Sequence, residues 1–132
     1  MPSLFSRISS GEIPAYKVAE TDVFLAFLDV FPLVEGHVLV IPKIEVDNIF
    51  DLTPPLFKDL FGFAQTVALA IERAIPCTKV GIAVIGLEVP HAHIHLVPIN
   101  SADDLNFTRT KLKVSPEMLE ATQQKILEVL RK

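Results

Sequence analysis

The stretch "PHAHIHLVP", Pro90 to Pro98, places three of the chain's four histidines on alternate positions of an apolar run. Period two is the mark of a β-strand, in which successive side chains face opposite sides of the sheet. His91, His93 and His95 therefore share one face, and Ala92, Ile94 and Leu96 turn to the other, where they can join a core. Neighbouring imidazoles then stand about 6.6–6.8 Å apart, from a rise of about 3.3–3.4 Å per residue. The chain has to build a sheet around this strand.

The rest of the sequence supplies it. "AYKVAE" and "VFLAFLDV" flank "TD" as two strands with a turn between them, and "HVLVIPK" is a third strand, stopped near Pro42. "KVGIAVIG" and "HAHIHLV" are two more, separated by the short loop Gly86 to Pro90. Thr53-Pro54 reads as a helix start, and Leu56, Leu60, Ala64, Val67 and Ile71 recur on one helical face down to Pro76. Ser115-Pro116 repeats that start, with Leu119, Ile126 and Leu130 marking a C-terminal helix over about residues 115–131. "SLFSRISSG" makes a short first helix with Ser3 as its cap. The expected fold is α+β: five mostly antiparallel strands, one main helix between the third and fourth, and a C-terminal helix.

At 132 residues, with no linker or repeat, the chain is expected to be one domain. A net charge of −4 argues against a nucleic-acid surface. The N-terminus lacks an apolar run long enough for a signal peptide, and the greasy segment "LFKDLFGFAQTVALAIERAI" carries five charged or amide side chains, too many for a membrane span. With a single cysteine, Cys77, read as a small buried residue, a reducing cytoplasm is the expectation. Five scattered glycines form no phosphate-cradling run.

Imidazole titrates near neutrality, so it serves as nucleophile, donor or acceptor. Three on one face suit a substrate's phosphates, one ring attacking while its neighbours donate hydrogen bonds. His-x-His on a strand also suits two zinc ligands, with His37 as a third. Catalytic zinc usually brings orienting carboxylates or a second ligand cluster, and no His-x-x-x-His or Cys-x-x-Cys occurs here. Zinc is the second reading, and no metal or other cofactor is expected.

"HAHIHLV" matches the histidine-triad pattern at every position, and the chain resembles that family through most of residues 3–98, including the "IPA" turn and the "GHVLVIPK" strand. The resemblance implies a nucleotide hydrolase or transferase, usually a homodimer, that cleaves a purine nucleoside monophosphate from its leaving group through a covalent nucleotidyl-histidine. It implies His93 as nucleophile, His95 on the phosphate oxygens, and His91 and His37 as orienting rings. It places Phe5, Ile8, Ile13, Phe27 and Val30 along the base and Asp29 on the ribose hydroxyls. A nucleotide-binding module without catalysis is the other alternative. Phe57, Phe61 and Phe63, outside the main helical stripe, suggest a face for the dimer.

The sequence departs from the family before the triad. Relatives carry a longer glycine-rich loop there with an amide and a hydroxyl residue; here the link is "GLEVP", with Leu87 and Glu88 in those places and Ile85 near an earlier amide. Glu88 is therefore expected to bear on the choice of leaving group. The shorter loop also leaves room for another segment, such as "DDLNFTR", to close over the site.

Overall fold

The β-branched and aromatic runs pair into one five-stranded sheet, in the order β1 (Lys17–Glu20), β2 (Phe24–Leu28), β3 (Val38–Pro42), β5 (Ile94–Ile99), β4 (Lys79–Ala83). The computed structural model, which describes residues 1–132, shows every neighbouring pair antiparallel. Three helices accompany the sheet: α1 (Leu4–Ser9), α2 (Pro54–Ala74) and α3 (Pro116–Leu130). This is the α+β architecture expected from the sequence, with 3-10 turns at Ile49–Asp51 and Ala102–Leu105 added.

Local chemistry sets the helix starts. The Ser3 hydroxyl accepts from the Ser6 amide at 3.0 Å and opens α1, and the Ser115 hydroxyl accepts from Met118 at 3.2 Å ahead of Pro116. Thr53 occupies the cap position of α2 without a side-chain bond, so Pro54 and Pro55 define that start. Along α2 the buried face is Leu60, Ala64, Val67, Ala70 and Ile71, with Leu56 only half-buried.

The sheet buries both faces. One packs Ala26, Leu28, Val38, Val40, Ile94 and Leu96 against α2 and α3 in the main core. The other gathers Leu25, Phe27, Leu39 and Ile41 with Phe5 and Ile8 of α1 in a smaller cluster. The phenylalanines read as a dimer face, Phe57, Phe61 and Phe63, are half-buried and pack in part against the main core, Phe63 stacking on Phe24 at 5.5 Å. Among the apolar groups left exposed are Leu69 of α2 and Ile82, Val84 and Ile85 on and beyond β4, the sheet edge, while others such as Phe31 and Phe50 lie elsewhere.

Two strands are shorter than the sequence pattern. β4 ends at Ala83, leaving Val84 and Ile85 outside it, and β5 begins only at Ile94, so His91, Ala92 and His93 precede the strand. The register pairs Val40 with Ile94, which sets Pro42 opposite Ala92. Proline has no N–H to give the ladder, so pairing stops there. The Ala92 amide instead donates to the Val46 carbonyl at 2.7 Å. Side-chain alternation survives this: Ala92, Ile94 and Leu96 all lie in the main core.

The loop from β2 to β3 turns at Gly36, φ +93°, immediately before His37. A Cβ there would meet side-chain carbons of Ile75 and Pro98 at 3.0 Å. Gly36→Ala is therefore expected to lose roughly 1–2 kcal/mol, the cost of left-handed backbone for an L-residue. Gly62→Ala, in the interior of α2 with nothing within 4 Å, is expected to gain about 1 kcal/mol. Denaturant midpoints of the two variants should move in opposite directions; a Gly36→Ala midpoint equal to the parent's would remove the constraint assigned to this turn.

Candidate active site

Three of the four imidazoles are bonded to backbone groups whose polarity is fixed, and the fourth, His95, to one of those three rings, and this decides where each proton sits. The Leu33 amide donates to His37 Nδ1 at 3.0 Å, so the His37 proton is on Nε2. That proton faces His95 Nδ1 at 2.9 Å, which leaves His95 with its N–H at Nε2. His93 Nδ1 lies 2.8 Å from the His91 carbonyl and must donate to it, so His93 Nε2 carries a free lone pair. His91 donates from Nε2 to the Pro42 carbonyl at 2.7 Å, and its Nδ1 receives the Ser3 hydroxyl at 2.8 Å. The cluster thus offers one unprotonated nitrogen, on His93, beside one N–H donor, on His95, with ring centroids 4.9 Å apart.

Burial keeps His37, His93 and His95 neutral. It pushes the His37 pKa down to about 3 and the His95 pKa to about 4, with the neighbouring imidazoles and Lys111 adding to the effect. His93 is lowered for the same first cause, burial, which keeps its lone pair available. Exposure separates the four rings into two pairs, with His37 and His91 sealed at 1% and 0%, while His93 and His95 reach the surface at 6% and 8%.

Of the residues the resemblance sets around the base, Phe5, Ile8 and Phe27 are buried in the smaller core cluster, with Ile13 packed against it. Phe5 sits edge-on to His93 at 4.9 Å and to Phe27 at 5.5 Å. Val30 lies outside this group, exposed in the loop after β2. Asp29 follows β2 directly; its Oδ1 accepts from the Phe31 amide at 2.8 Å, a turn-capping role, while Oδ2 lies 3.6 Å from His37 Nε2. Burial raises its pKa. A cleft of about 200 Å³ opens beside Asp29 and His37, toward Leu112, Val114 and Met118. Glu88 is exposed, and its charge still bears on His93 and Asp29; Leu87 is fully in solvent.

Several residues that complete the site were not singled out for it by sequence reasoning. Phe107, in the segment the short loop leaves room for, lies edge-on to His95 at 4.6 Å. Lys111 rests 5.9 Å from that ring with its ammonium on the Phe107 carbonyl at 2.8 Å. Arg109 and Leu112 tie this strap to the carbonyls of Leu33 and Pro32. Ser3, read only as a helix cap, contacts His91, and Glu45 accepts from Ser3 and Ser6. No sequence period connects residues 3, 45 and 91, so only the fold reveals them. Cys77 is half-buried with its thiol pKa raised by burial, the opposite of an activated nucleophile.

One group has the composition of a metal site: Asp29, His37 and His95, with ligand atoms within 4.8 Å of one another. Its donors do not fit a cation. Metal-bound histidine donates its other ring N–H to an acceptor. His37 Nδ1 instead accepts the Leu33 N–H, so Nε2, the atom facing the group, holds the proton. Ligation there would require an imidazolate.

A family model of the HIT domain matches residues 10–102. An adenosine 5'-monophosphoramidase of Schizosaccharomyces pombe is 33% identical over 129 residues, covering 96% of this chain and 96% of that protein. A bis(5'-nucleosyl)-tetraphosphatase of the same yeast is 35% identical over 104 residues, covering 75% of this chain but 56% of that enzyme. Among solved structures, a Zn-bound histidine triad family protein of Mycobacterium smegmatis superposes with TM-score 0.82 at 29% identity, over 97% of this chain and 92% of that one. The motif, the antiparallel sheet that carries it and the family match agree, and the chain belongs to the histidine-triad family.

Proposed function

We propose that this chain is a nucleotide hydrolase or transferase that cleaves a purine nucleoside monophosphate from its leaving group through a covalent nucleotidyl-His93. The observation that carries the reading is the His93 tautomer: Nδ1–H is committed to the His91 carbonyl, so Nε2 is free to attack phosphorus. As the P–Nε2 bond forms, the leaving group departs with its bonding pair and positive charge develops on the ring. The His91 carbonyl, already accepting from Nδ1, stabilises that charge. His95 Nε2–H is a donor for a non-bridging phosphate oxygen. Water then attacks the adduct and returns His93 to its starting state. Covalent catalysis divides one difficult displacement into two easier ones.

The phosphoramidase and tetraphosphatase relatives support phosphorus–nitrogen and phosphoanhydride substrates alike. Phe107 and Lys111 lie beside His95, and the charge of the exposed Glu88 bears on His93, so these three are the residues on which leaving-group choice is expected to turn. Zinc in the Mycobacterium smegmatis relative keeps a metal reading in view, but the His37 proton counts against it at Asp29, His37 and His95. No helix is long and apolar enough to cross a membrane; a cytoplasmic location remains part of this proposal.

The proposal includes a homodimer built on the β4 edge. Edge strands with exposed apolar side chains invite pairing, and Ile82, Val84, Ile85 and Leu69 are 39–50% exposed. Light scattering across micromolar dilution should return twice the chain mass; a monomer mass would remove this part of the reading.

His93→Ala should lose the covalent route altogether, a greater loss than the ~10²–10⁴-fold typical of general acid–base residues. AMP binding should persist, and His91→Ala and His37→Ala should lose less. Single-turnover kinetics and AMP affinity on each variant check this. Near-normal turnover in His93→Ala, with loss in His95→Ala or His91→Ala, would reverse the roles.

The buried rings also set a pH dependence. His37 and His95 titrate near 3 and 4 in the fold against 6.5 when unfolded, so the unfolded chain binds more protons between those values. Their stabilisation is complete above pH 6.5 and is lost as pH falls toward the folded values. Each ring that stays neutral contributes a slope of up to ~1.4 kcal/mol per pH unit. Unfolding free energy measured from pH 7 to 5 should fall accordingly, and His37→Gln should flatten the curve. An unchanged slope in that variant would contradict the assigned protonation.

A further inference from the structure

The first half of the triad lies outside the sheet ladder, so something other than strand pairing must hold the carbonyl that orients His93. Residues 91–93 precede β5; the His91 amide bonds only locally, to the Val89 carbonyl at 2.8 Å, and the peptide that carries the His91 carbonyl is held on its N–H side by the Ala92 amide on the Val46 carbonyl at 2.7 Å. The His91 ring adds a second hold and is itself fastened at both ends. Nε2 donates to the Pro42 carbonyl at the end of β3, and Nδ1 receives Ser3 Oγ from the N-terminal segment.

Counting protons shows why Ser3 is the donor. The Ser6 hydroxyl lies 3.3 Å from His91 Nδ1, but its one proton goes to Glu45 Oε1 at 2.7 Å. The Ser3 amide also donates to Glu45 Oε1, at 2.5 Å. Ser3 is thereby clamped by a carboxylate on its backbone side, and its hydroxyl proton is left for His91. The Ser3 and Ser6 bonds hold the exposed Glu45 carboxyl down near pKa 2, so the clamp stays ionised at neutral pH.

We propose that Ser3, clamped by Glu45, is a positioning residue for the nucleophile: it holds the His91 ring so that the His91 carbonyl fixes the Nδ1 proton of His93. The N-terminal segment then contributes to catalysis through a hydrogen-bonded tether rather than through contact with substrate. Without the tether, residue 91 loses one of its two side-chain anchors, its carbonyl is left with the play that the Ala92–Val46 bond of the same peptide allows, and His93 populates the tautomer with Nε2 protonated. That tautomer cannot attack. The proposal rests on the reading of His93 as nucleophile for its kinetic consequence, but not for the tautomer itself.

Ser3 also caps α1, so the experiment must separate capping from tethering. Glycine replaces a serine cap at a cost of a few tenths of a kcal/mol, and threonine keeps both cap and hydroxyl. The double variant Ser3→Gly/Ser6→Ala removes both hydroxyls near His91, and Ser3→Thr is the conservative control. Imidazole ¹⁵N resonances of His93 report its tautomer directly, alongside single-turnover rates with an adenosine phosphoramidate and AMP affinity. The parent and Ser3→Thr should show His93 protonated at Nδ1 alone. The double variant should show a tautomer mixture and a rate about 10–100-fold lower, the scale of a misplaced reacting group, with AMP affinity kept. An unchanged His93 pattern in the double variant overturns the proposal. So does a rate loss that tracks a loss of AMP affinity or persists in Ser3→Thr. A parent that shows the Nδ1 tautomer yet never reacts would overturn the hydrolase reading and leave the tether standing.

Discussion

The hydrogen bond from His93 Nδ1 to the His91 carbonyl, 2.8 Å long, is the interaction on which the chemistry proposed for this chain depends. An imidazole in water exchanges its proton freely between two nitrogens, and a nucleophile needs one of them bare. A backbone carbonyl can only accept, so this contact settles the matter without a charged partner. The same device governs the other rings, since the Leu33 amide can only donate and the Pro42 carbonyl can only accept. Three backbone groups therefore set the state of four side chains. Low dielectric strengthens these bonds, and the same burial that costs the charged forms keeps His37, His93 and His95 neutral.

The fold exists to bring those groups together. Leu33 and His37 come from the loop between β2 and β3, Pro42 from the end of β3, and the triad from the approach to β5. Antiparallel pairing of β3 with β5 sets Leu39 opposite His95. The positive-φ turn at Gly36 delivers His37 beside the triad, against Ile75 and Pro98. On the main-core face, Ala92, Ile94 and Leu96 anchor the alternate positions. Apolar burial on one side of the strand thus supplies the rigidity that the polar side uses.

Much of this was legible in the sequence because it depends on local rules. Alternation separated the three histidines from Ala92, Ile94 and Leu96, and serine–proline starts marked the C-terminal helix. The strand limits were not legible, because β5 is shortened by Pro42, a residue about fifty positions away whose missing N–H matters only once the register is known. The packing of the α2 aromatics was hidden for a related reason. Phe63 has a partner, Phe24, that helical periodicity cannot announce. Ser3, Glu45, Phe107 and Lys111 reach the site from segments with no shared pattern. Phe107 fills space beside His95, and the closure expected of its segment follows from the brevity of "GLEVP" more than from any feature of Phe107 itself.

The central claim is that His93 becomes covalently bonded to phosphorus. Intact-mass analysis of the chelator-treated protein, mixed with an adenosine phosphoramidate and quenched without acid, measures this most directly. The account expects a species heavier by one adenylyl group in the parent and its absence in His93→Ala. Turnover in the parent with no adduct at any time point, or an adduct that survives in His93→Ala, would contradict it.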